Sequence, residues 1–213
     1  MVRISKMNIV AIDFSINSPG ICILKDGNPY FIAFLKPTTG TKAQQALQSQ
    51  MTELGDVHLV FQEEPNIDRQ EMSRVLRHRY IAEEICNLIE EHTDTSQPYR
   101  IFFEGASYGT SRFGTNSLLD LASASSILKS FMFDRFEIEQ LDVIAPTSIK
   151  KFVGKGNMKK EGMWEHFLID DSFQSSPFWK FCKTIESFEF KKLPKPVDDL
   201  VDAYYLLRLA QSM

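Results

Sequence analysis

The chain has 213 residues, a length that fits one α/β domain with an insertion. Its hydrophobic content of 43% is enough for a sizeable core, and no apolar stretch approaches the roughly 20 residues that span a bilayer. The net charge of −4 argues against a protein that coats nucleic acid nonspecifically, while three widely spaced cysteines and the lack of a signal-peptide pattern predict a reduced, cytoplasmic protein without a membrane partner.

Apolar runs and turn residues predict a single α/β domain over residues 1–213. Three short strands are expected at 7–14, 20–26 and 29–36, because Ser18-Pro-Gly20 and Asp26-Gly-Asn28 are typical turn sequences. The further predicted elements are a helix at 41–54, a strand at 57–61, a helix at 69–92, a strand at 100–104, a helix at 116–132, a strand at 136–144, a helix beginning at Pro146, an irregular aromatic-rich insertion or lid at about 169–195, and a helix at 197–211.

Acidic residues end or interrupt three separate apolar elements. Asp13 ends the run Asn8-Ile-Val-Ala-Ile-Asp13, Glu104 ends Ile101-Phe-Phe-Glu104, and Asp199 and Asp202 interrupt the apolar C-terminal helix. Burying an ionised carboxylate is costly unless a positive or hydrogen-bonding group compensates it. A divalent cation is the simplest shared compensator, since Mg²⁺ prefers oxygen ligands. The pattern therefore predicts a metal-dependent phosphodiester site.

Each of these carboxylates also has an ordinary structural alternative. Asp13 could cap a turn, Glu104 could pair with Arg112, and Asp202 could be a plain polar position. Against the last alternative, the apolar neighbours of Asp202 leave the helix almost no polar face.

Two adjacent acids compete as the helical partner of Asp202. Residues three apart share a side of a helix, so Asp199 and Asp202 can address one ion, but Asp198 is close enough to do the same. We expect Asp198 to be an exposed first-turn acid or an N-cap, where the helix dipole favours acids. Asp199 is then expected to be the ligand.

Basic residues are concentrated in a segment that is a candidate for binding phosphate groups. Five lysines and no acid lie between Lys150 and Lys160, and a second basic cluster spans 69–79. We predict DNA phosphate contacts there, with Gly154 and Gly156 allowing a close approach of the backbone; a solvated helix end is the alternative. The lysines predicted to bind DNA are Lys150, Lys151, Lys155 and Lys159.

Downstream of Glu104, three further residues are candidates for DNA contacts. Tyr108 and Phe113 could stack on exposed bases, and Arg112 lies between them in the sequence. Packing of the two rings in the core is the alternative.

These motifs together resemble the RuvC-type Holliday junction resolvases of the ribonuclease H-like superfamily. The stretch Ile12-Asp13-Phe-Ser-Ile-Asn-Ser-Pro-Gly20 is similar to the opening strand and turn of that family, and Glu104 to its strand-end glutamate. The stretch 145–160 is similar to its Pro-Ser-x-Val-Lys and Gly-x-Gly-x-Ala-x-Lys segment, and Asp199-Leu-Val-Asp202-Ala203 to its last acidic helix. The four matches occur in the family's order and span almost the whole chain.

The resemblance implies both a fold and an activity. The expected fold is an α/β ribonuclease H-like mixed sheet, with three antiparallel strands followed by parallel strands and flanked by helices. The expected activity is cleavage of four-way junctions or other branched DNA to give 5′-phosphate and 3′-hydroxyl ends. It would use two Mg²⁺ ions per site, replaceable by Mn²⁺, and the implied ligands are Asp13, Glu104, Asp199 and Asp202.

The resemblance also implies a homodimer, since a four-way junction has matching two-fold symmetry. Either the helix at 69–92 or the helix at 116–132 could form its interface. Three departures from the family pattern suggest a divergent, viral relative acting in the host cytoplasm: the residues after Glu104, the length of 163–195 and the overall acidity.

Two other functions fit parts of the sequence. The turn from Asp13 to Gly20 also resembles the first phosphate turn of sugar kinases and actin-like ATPases, but those proteins need a duplicated second half, and no Asp-Gly-Gly-type turn follows residue 100. A non-catalytic nucleic-acid-binding module on the same fold would be expected to have lost some of the acids, and all are present. A nuclease is therefore the favoured interpretation.

Overall fold

The computed structural model of the chain describes residues 7–16, 18–25, 27–35, 42–62, 69–94, 97–105, 115–185 and 194–213. Its strands are β1 (Asn8–Asp13), β2 (Gly20–Lys25), β3 (Asn28–Leu35), β4 (Val57–Phe61), β5 (Tyr99–Glu104) and β6 (Leu141–Ile144). Its helices are α1 (Lys42–Thr52), α2 (Gln70–His92), α3 (Thr115–Arg135), α4 (Pro146–Val153), α5 (Lys160–Ile169), α6 (Pro177–Ile185) and α7 (Val197–Gln211). None of the described helices combines the length and apolarity that crossing a bilayer requires.

The strands form one mixed sheet in the order β4-β3-β2-β1-β5-β6. β1, β2 and β3 are antiparallel neighbours, whereas β5 is parallel to β1 and β6 is parallel to β5. β4 adds a parallel edge next to β3. The predicted α/β fold, with three antiparallel strands followed by parallel strands, is confirmed.

Each face of the sheet is covered by its own core. Side chains alternate between the faces of a strand, so Ile9 and Ala11 of β1 pack towards α7 while Val10 and Ile12 pack towards α2 and α3. The α7 side also receives α1, α4, α5 and α6. Because both faces are buried, the strands read as continuous apolar runs in the sequence.

The element boundaries confirm some predictions closely and correct one strand. α4 begins at Pro146 and α7 spans 197–211, as predicted. The β2–β3 hairpin closes at Gly27, whose φ of 83° lies in the region that glycine adopts without strain. The predicted strand at 136–144 is wrong in its first half, because α3 continues to Arg135 and a 3₁₀ turn occupies Ile138–Gln140 before β6.

The expectation of irregular structure after residue 169 is wrong for 177–185, which form α6. Phe178 is fully buried and its ring centroid lies 4.5 Å from that of Phe31 on β3. The Asp56 carboxylate, before β4, accepts hydrogen bonds from the Phe178 amide and the Ser176 hydroxyl, which anchors the start of α6 to the sheet edge. In the part of this segment that the structure describes, aromatic side chains therefore build core and do not form a lid.

Candidate active site

Two of the predicted acids meet at the carboxyl edge of the sheet. β1 and β5 are parallel neighbours with Ile12 opposite Phe103, so the next residues, Asp13 and Glu104, end their strands side by side. Ala11 and Phe102 belong to the α7 core, and alternation therefore points Asp13 and Glu104 to that same face. The carboxyl edge of an open α/β sheet is where such folds place their ligand sites.

Helix α7 brings the other two predicted acids to the same place. It packs across β1 and β2, and Gly20, the partner of Asp13 in the β1–β2 ladder, lies directly beneath its first turn. A Cβ on Gly20 would stand 2.6 Å from the Asp199 carbonyl oxygen, which is closer than atoms can approach. The absence of a side chain at Gly20 thus lets Asp199 and Asp202 reach the neighbourhood of Asp13.

The proximity and burial of these acids raise the pKa values of several of them. Burial raises the pKa of Asp13 well above its usual range, and the Glu104 carboxylate, a hydrogen bond with Glu104, and the charges of Asp202 and Asp199 raise it further. A cation between the two strand-end carboxyl groups would relieve their mutual repulsion.

The α7 acids are affected in the same way. Burial, followed by the charge of Asp198, raises the pKa of Asp199 to about 6, although Lys195 opposes the shift. Burial also raises the pKa of Asp202, against the opposing charge of Lys160. Desolvated carboxylates whose pKa values are raised by one another are typical of functional sites.

Two lysines partly compensate the acidic cluster. The Lys160 ammonium, at the start of α5, lies 2.9 Å from Asp198 Oδ2 and 3.1 Å from Asp202 Oδ2. Burial lowers the pKa of Lys160, but the charges of Asp202 and Asp198 outweigh burial and leave it raised. The Lys195 ammonium pairs with Asp199 and lies 3.3 Å from Asp198 Oδ2.

Even so, the cluster has more negative than positive groups. Among the described residues, two ammonium groups face five carboxyl groups, which are those of Asp13, Glu104, Asp198, Asp199 and Asp202. The excess negative charge favours binding of a further cation at the Asp13–Glu104 side.

The expectation that Asp198 is an exposed acid or an N-cap is wrong. Asp198 is only 8% exposed, and Pro196 occupies the N-cap position of α7. The prediction misjudged the first turn of α7 because one of the two lysines that pair with Asp198, Lys160, lies 38 residues earlier in the chain, at the start of α5. Asp199 is more deeply buried, at 2% exposed, and its charge, together with that of Asp202, acts on Asp13.

A divalent cation fits the chemistry of this cluster, although its ligands are not fully assembled. Among the described residues, no three Asp, Glu, His or Cys side chains stand in a ready-made arrangement to hold a metal ion. The hard oxygen donors are of the right kind, and the neighbouring strand-end carboxyl groups of Asp13 and Glu104 mark a position where a cation would relieve repulsion. Asp202 and Asp199 are held by lysines, which would have to give way before either could ligate.

The predicted DNA-binding lysines lie on α4, after it and at the start of α5. Lys150 and Lys151 lie in the last turn of α4, Lys155 follows it, and Lys159 is the N-cap residue of α5. Lys151, Lys155 and Lys159 are exposed, so phosphate contact by these three residues stays a prediction that their position permits. Tyr108, Arg112 and Phe113 lie outside the described residues.

The glycines of the lysine segment have a packing role. A Cβ on Gly156 would lie 3.2 Å from Cγ of Lys151, so Gly156 fits beneath the aliphatic part of that side chain. A Cβ on Gly154 would lie 2.7 Å from Cε of Met158. At both glycines the space beside the backbone is filled by the protein's own side chains, and the predicted approach of the DNA backbone stays a prediction.

Three residues of the site escaped sequence reasoning. Lys160 belongs to the five-lysine segment but was not among the predicted contacts, and Lys195 precedes Asp198 and Asp199 by three and four residues, a spacing that indicates contact on a helix. Ser18 donates a hydrogen bond from Oγ to Asp199 Oδ2 at 3.0 Å. Only the lysine spacing carried a usable signal, since the Ser18–Asp199 contact joins positions 181 residues apart.

Comparison with known proteins finds likeness in fold. No protein-family model matches the sequence, and no match is found among curated protein sequences. Similar solved structures include Thermus thermophilus RuvC, with 12% identity, a TM-score of 0.47 and coverage of 97% of this chain and 96% of that chain. The structure of the same protein in complex with Holliday junction substrate has 9% identity and a TM-score of 0.49, and the match covers 97% of this chain and 96% of that chain. The yeast mitochondrial Holliday junction resolvase has 13% identity and a TM-score of 0.49, and the match covers 94% of this chain and 76% of that chain.

At these identities the likeness concerns the architecture of the chain alone. The predicted viral origin, cytoplasmic location and metal requirement stay predictions.

Proposed function

We propose that the protein is a divalent-metal-dependent endodeoxyribonuclease that cleaves branched DNA, with four-way junctions as its preferred class of substrate. The observation that carries the proposal is the convergence of Asp13, Glu104 and Asp202, from two strands and a distant helix, at the carboxyl edge of the sheet. Buried carboxylates in excess of their lysine partners are a costly arrangement for a merely structural site. The four sequence motifs, in the order found in RuvC-type resolvases, support phosphodiester cleavage as the reaction class.

In this proposal the carboxylates of Asp13 and Glu104 would hold Mg²⁺ first, and Asp202 and Asp199 would complete the set once they are released from Lys160 and Lys195. Bound Mg²⁺ would stabilise charge on the scissile phosphate and lower the pKa of an attacking water. Lys160 keeps Asp202 oriented in the meantime, because its ammonium bridges Asp198 and Asp202. The apolar core beneath α7 keeps these carboxylates fixed, since both α7 and the strands are buried there.

A dimer is part of the proposal, and exposed side chains favour α2 as its interface. On α2, the side chains of Met72, Val75, Leu76 and Tyr80 are 48%, 39%, 37% and 44% exposed. Their spacing places them along one stripe of the helix. An exposed apolar stripe of this kind suits contact with a second copy of the chain.

The test is a cleavage panel with end-labelled DNA. Four-way junctions, Y-forks, looped duplexes, RNA–DNA hybrids and linear duplex of the same sequence are incubated with Mg²⁺, Mn²⁺ or EDTA. We expect metal-dependent cuts in the junction, with 5′-phosphate and 3′-hydroxyl ends. Asp13→Asn should abolish cleavage while junction binding survives, because an amide keeps the shape but cannot supply the charge. Asp171→Asn, at an exposed position, is the matched control.

The same panel, together with an ATP-turnover assay, separates the alternatives. Cleavage by Asp13→Asn at the rate of the unmodified protein would refute the site assignment. Junction binding without cleavage under every metal would indicate a non-catalytic module, and ATP turnover without cleavage would indicate an ATPase.

A further inference from the structure

Lys195 stands where a second cation would have to enter the cluster. Its ammonium pairs with Asp199 Oδ1, while the Ser18 hydroxyl donates to Asp199 Oδ2 at 3.0 Å. Both oxygens of Asp199 are thus occupied by groups of the protein itself. The Asp199 side chain is 4% exposed, whereas that of Lys195 is 47% exposed, so Lys195 approaches the buried carboxylate from the solvent side.

The backbone around Lys195 holds it in this position. Lys195 lies between Pro194 and Pro196, both of which are buried, and proline has a fixed φ. The Val197 amide donates to the Pro194 carbonyl at 2.9 Å, and the Leu200 amide to the Pro196 carbonyl at 3.1 Å, which joins this segment to the first turn of α7. This backbone holds the main chain of Lys195 beside Asp199.

Lys160 and Lys195 differ in the carboxylates of the cluster that they pair with. Lys160 binds Oδ2 of Asp198 and of Asp202, and the Asp13–Glu104 pair is bound by neither lysine among the described contacts. The Asp13–Glu104 side can therefore accept a cation directly, whereas Asp199 cannot do so until Lys195 withdraws.

We propose that Lys195 is a built-in counter-ion that competes with divalent cations for Asp199. It thereby lowers the affinity of the site for a second cation and makes Ser18 and Lys195 positioning residues for Asp199. This inference rests on the proposed metal-dependent function and concerns which part of the cluster fills first. The Asp13–Glu104 side fills first, and occupation of Asp199 follows displacement of the ammonium group.

The test is equilibrium binding of Mn²⁺ to the full chain without DNA, measured by the loss of the free-ion paramagnetic resonance signal. Lys195→Met removes the competing charge and should tighten the weaker class of Mn²⁺ binding by about tenfold, since a unit charge a few ångströms away acts on this scale when half-exposed. Lys195→Gln keeps a hydrogen-bond donor for the buried Asp199 and decides the matter if the methionine variant does not fold. Lys42→Met, at an exposed lysine at the start of α1, is the matched control and should bind as the unmodified protein does.

The outcomes separate this inference from the proposed function. Tighter Mn²⁺ binding by Lys195→Gln, with the Lys42→Met control unchanged, supports it. Unchanged binding by Lys195→Gln overturns it, and if Asp13→Asn still abolishes Mn²⁺ binding, the proposed function survives. If no variant binds Mn²⁺, there is no affinity for Lys195 to limit, and both the inference and the metal-dependent function are overturned.

Discussion

Replacing Gly20 by alanine is expected to push α7 away from the β1–β2 ladder. The new methyl carbon would lie 2.6 Å from the Asp199 carbonyl oxygen and 2.8 Å from its carbonyl carbon, and real Cβ contacts essentially never fall below 3.0 Å. The helix or the strand must therefore move by at least 0.4 Å, the difference between 3.0 and 2.6 Å. Both obstructing atoms belong to the backbone, so no side-chain rotation can relieve the clash.

The expected cost follows from this clash. Overpacking of a well-packed core typically costs about 1–3 kcal/mol, and a backbone obstruction places Gly20→Ala in the upper part of that range. For a chain of this size, that corresponds to a fall in melting temperature of about 5–10 °C. Because α7 carries Asp199 and Asp202, metal-dependent cleavage should also fall, by about tenfold, through misplacement of the carboxylates relative to Asp13.

The assay compares Gly20→Ala with Gly55→Ala. A Cβ on Gly55 meets nothing within 4 Å, so this matched variant should unfold like the unmodified protein. Unfolding free energies come from denaturant titration, and cleavage is measured well below both melting temperatures. If the two variants have the same unfolding free energy, the packing of α7 on Gly20 is not as described and the reasoning fails.

Two further predictions concern the lysines around α4 and the paired acids of α7. Changing Lys150, Lys151 and Lys155 together to alanine should weaken junction binding. It should also reduce the slope of log Kd against log salt by about 0.9 for each phosphate group that the variant no longer neutralises. An unchanged slope in binding titrations would show that these lysines do not touch the DNA backbone. Asp199→Asn should lose single-turnover cleavage much more severely than Asp198→Asn, because Asp199 lies against Gly20, the ladder partner of Asp13, whereas Asp198 pairs with Lys160. The opposite order of rates would reassign the ligand to Asp198.

The sequence predicted the positions of Asp13 and Glu104 at the ends of strands because a local rule governs them. Asp13 and Glu104 each follow an apolar run, and the parallel pairing of β1 with β5 then brings them together. The bounds of α7 were equally clear, because its apolar residues leave so little polar surface. Long-range compensation was not predictable, since the reach of Lys160 to Asp198 joins positions 38 residues apart.

Helix α6 shows a different kind of failure. Phe178, Phe181, Cys182 and Ile185 are buried at a helical spacing that the sequence displays openly. The many aromatic residues around them suggested a ligand-facing lid, although aromatic side chains more often fill cores. The spacing was the more reliable signal, and the composition obscured it.

The origin of the site from positions 13, 104 and 202 has a consequence for the chain as it is made. The first two carboxylates reach each other once β5 has paired with β1, but the third arrives on α7, which follows every other described element in chain order. A nascent chain that lacks α7 cannot assemble the cluster, so Asp13 and Glu104 meet Asp202 only after α7 has docked against β1 and β2.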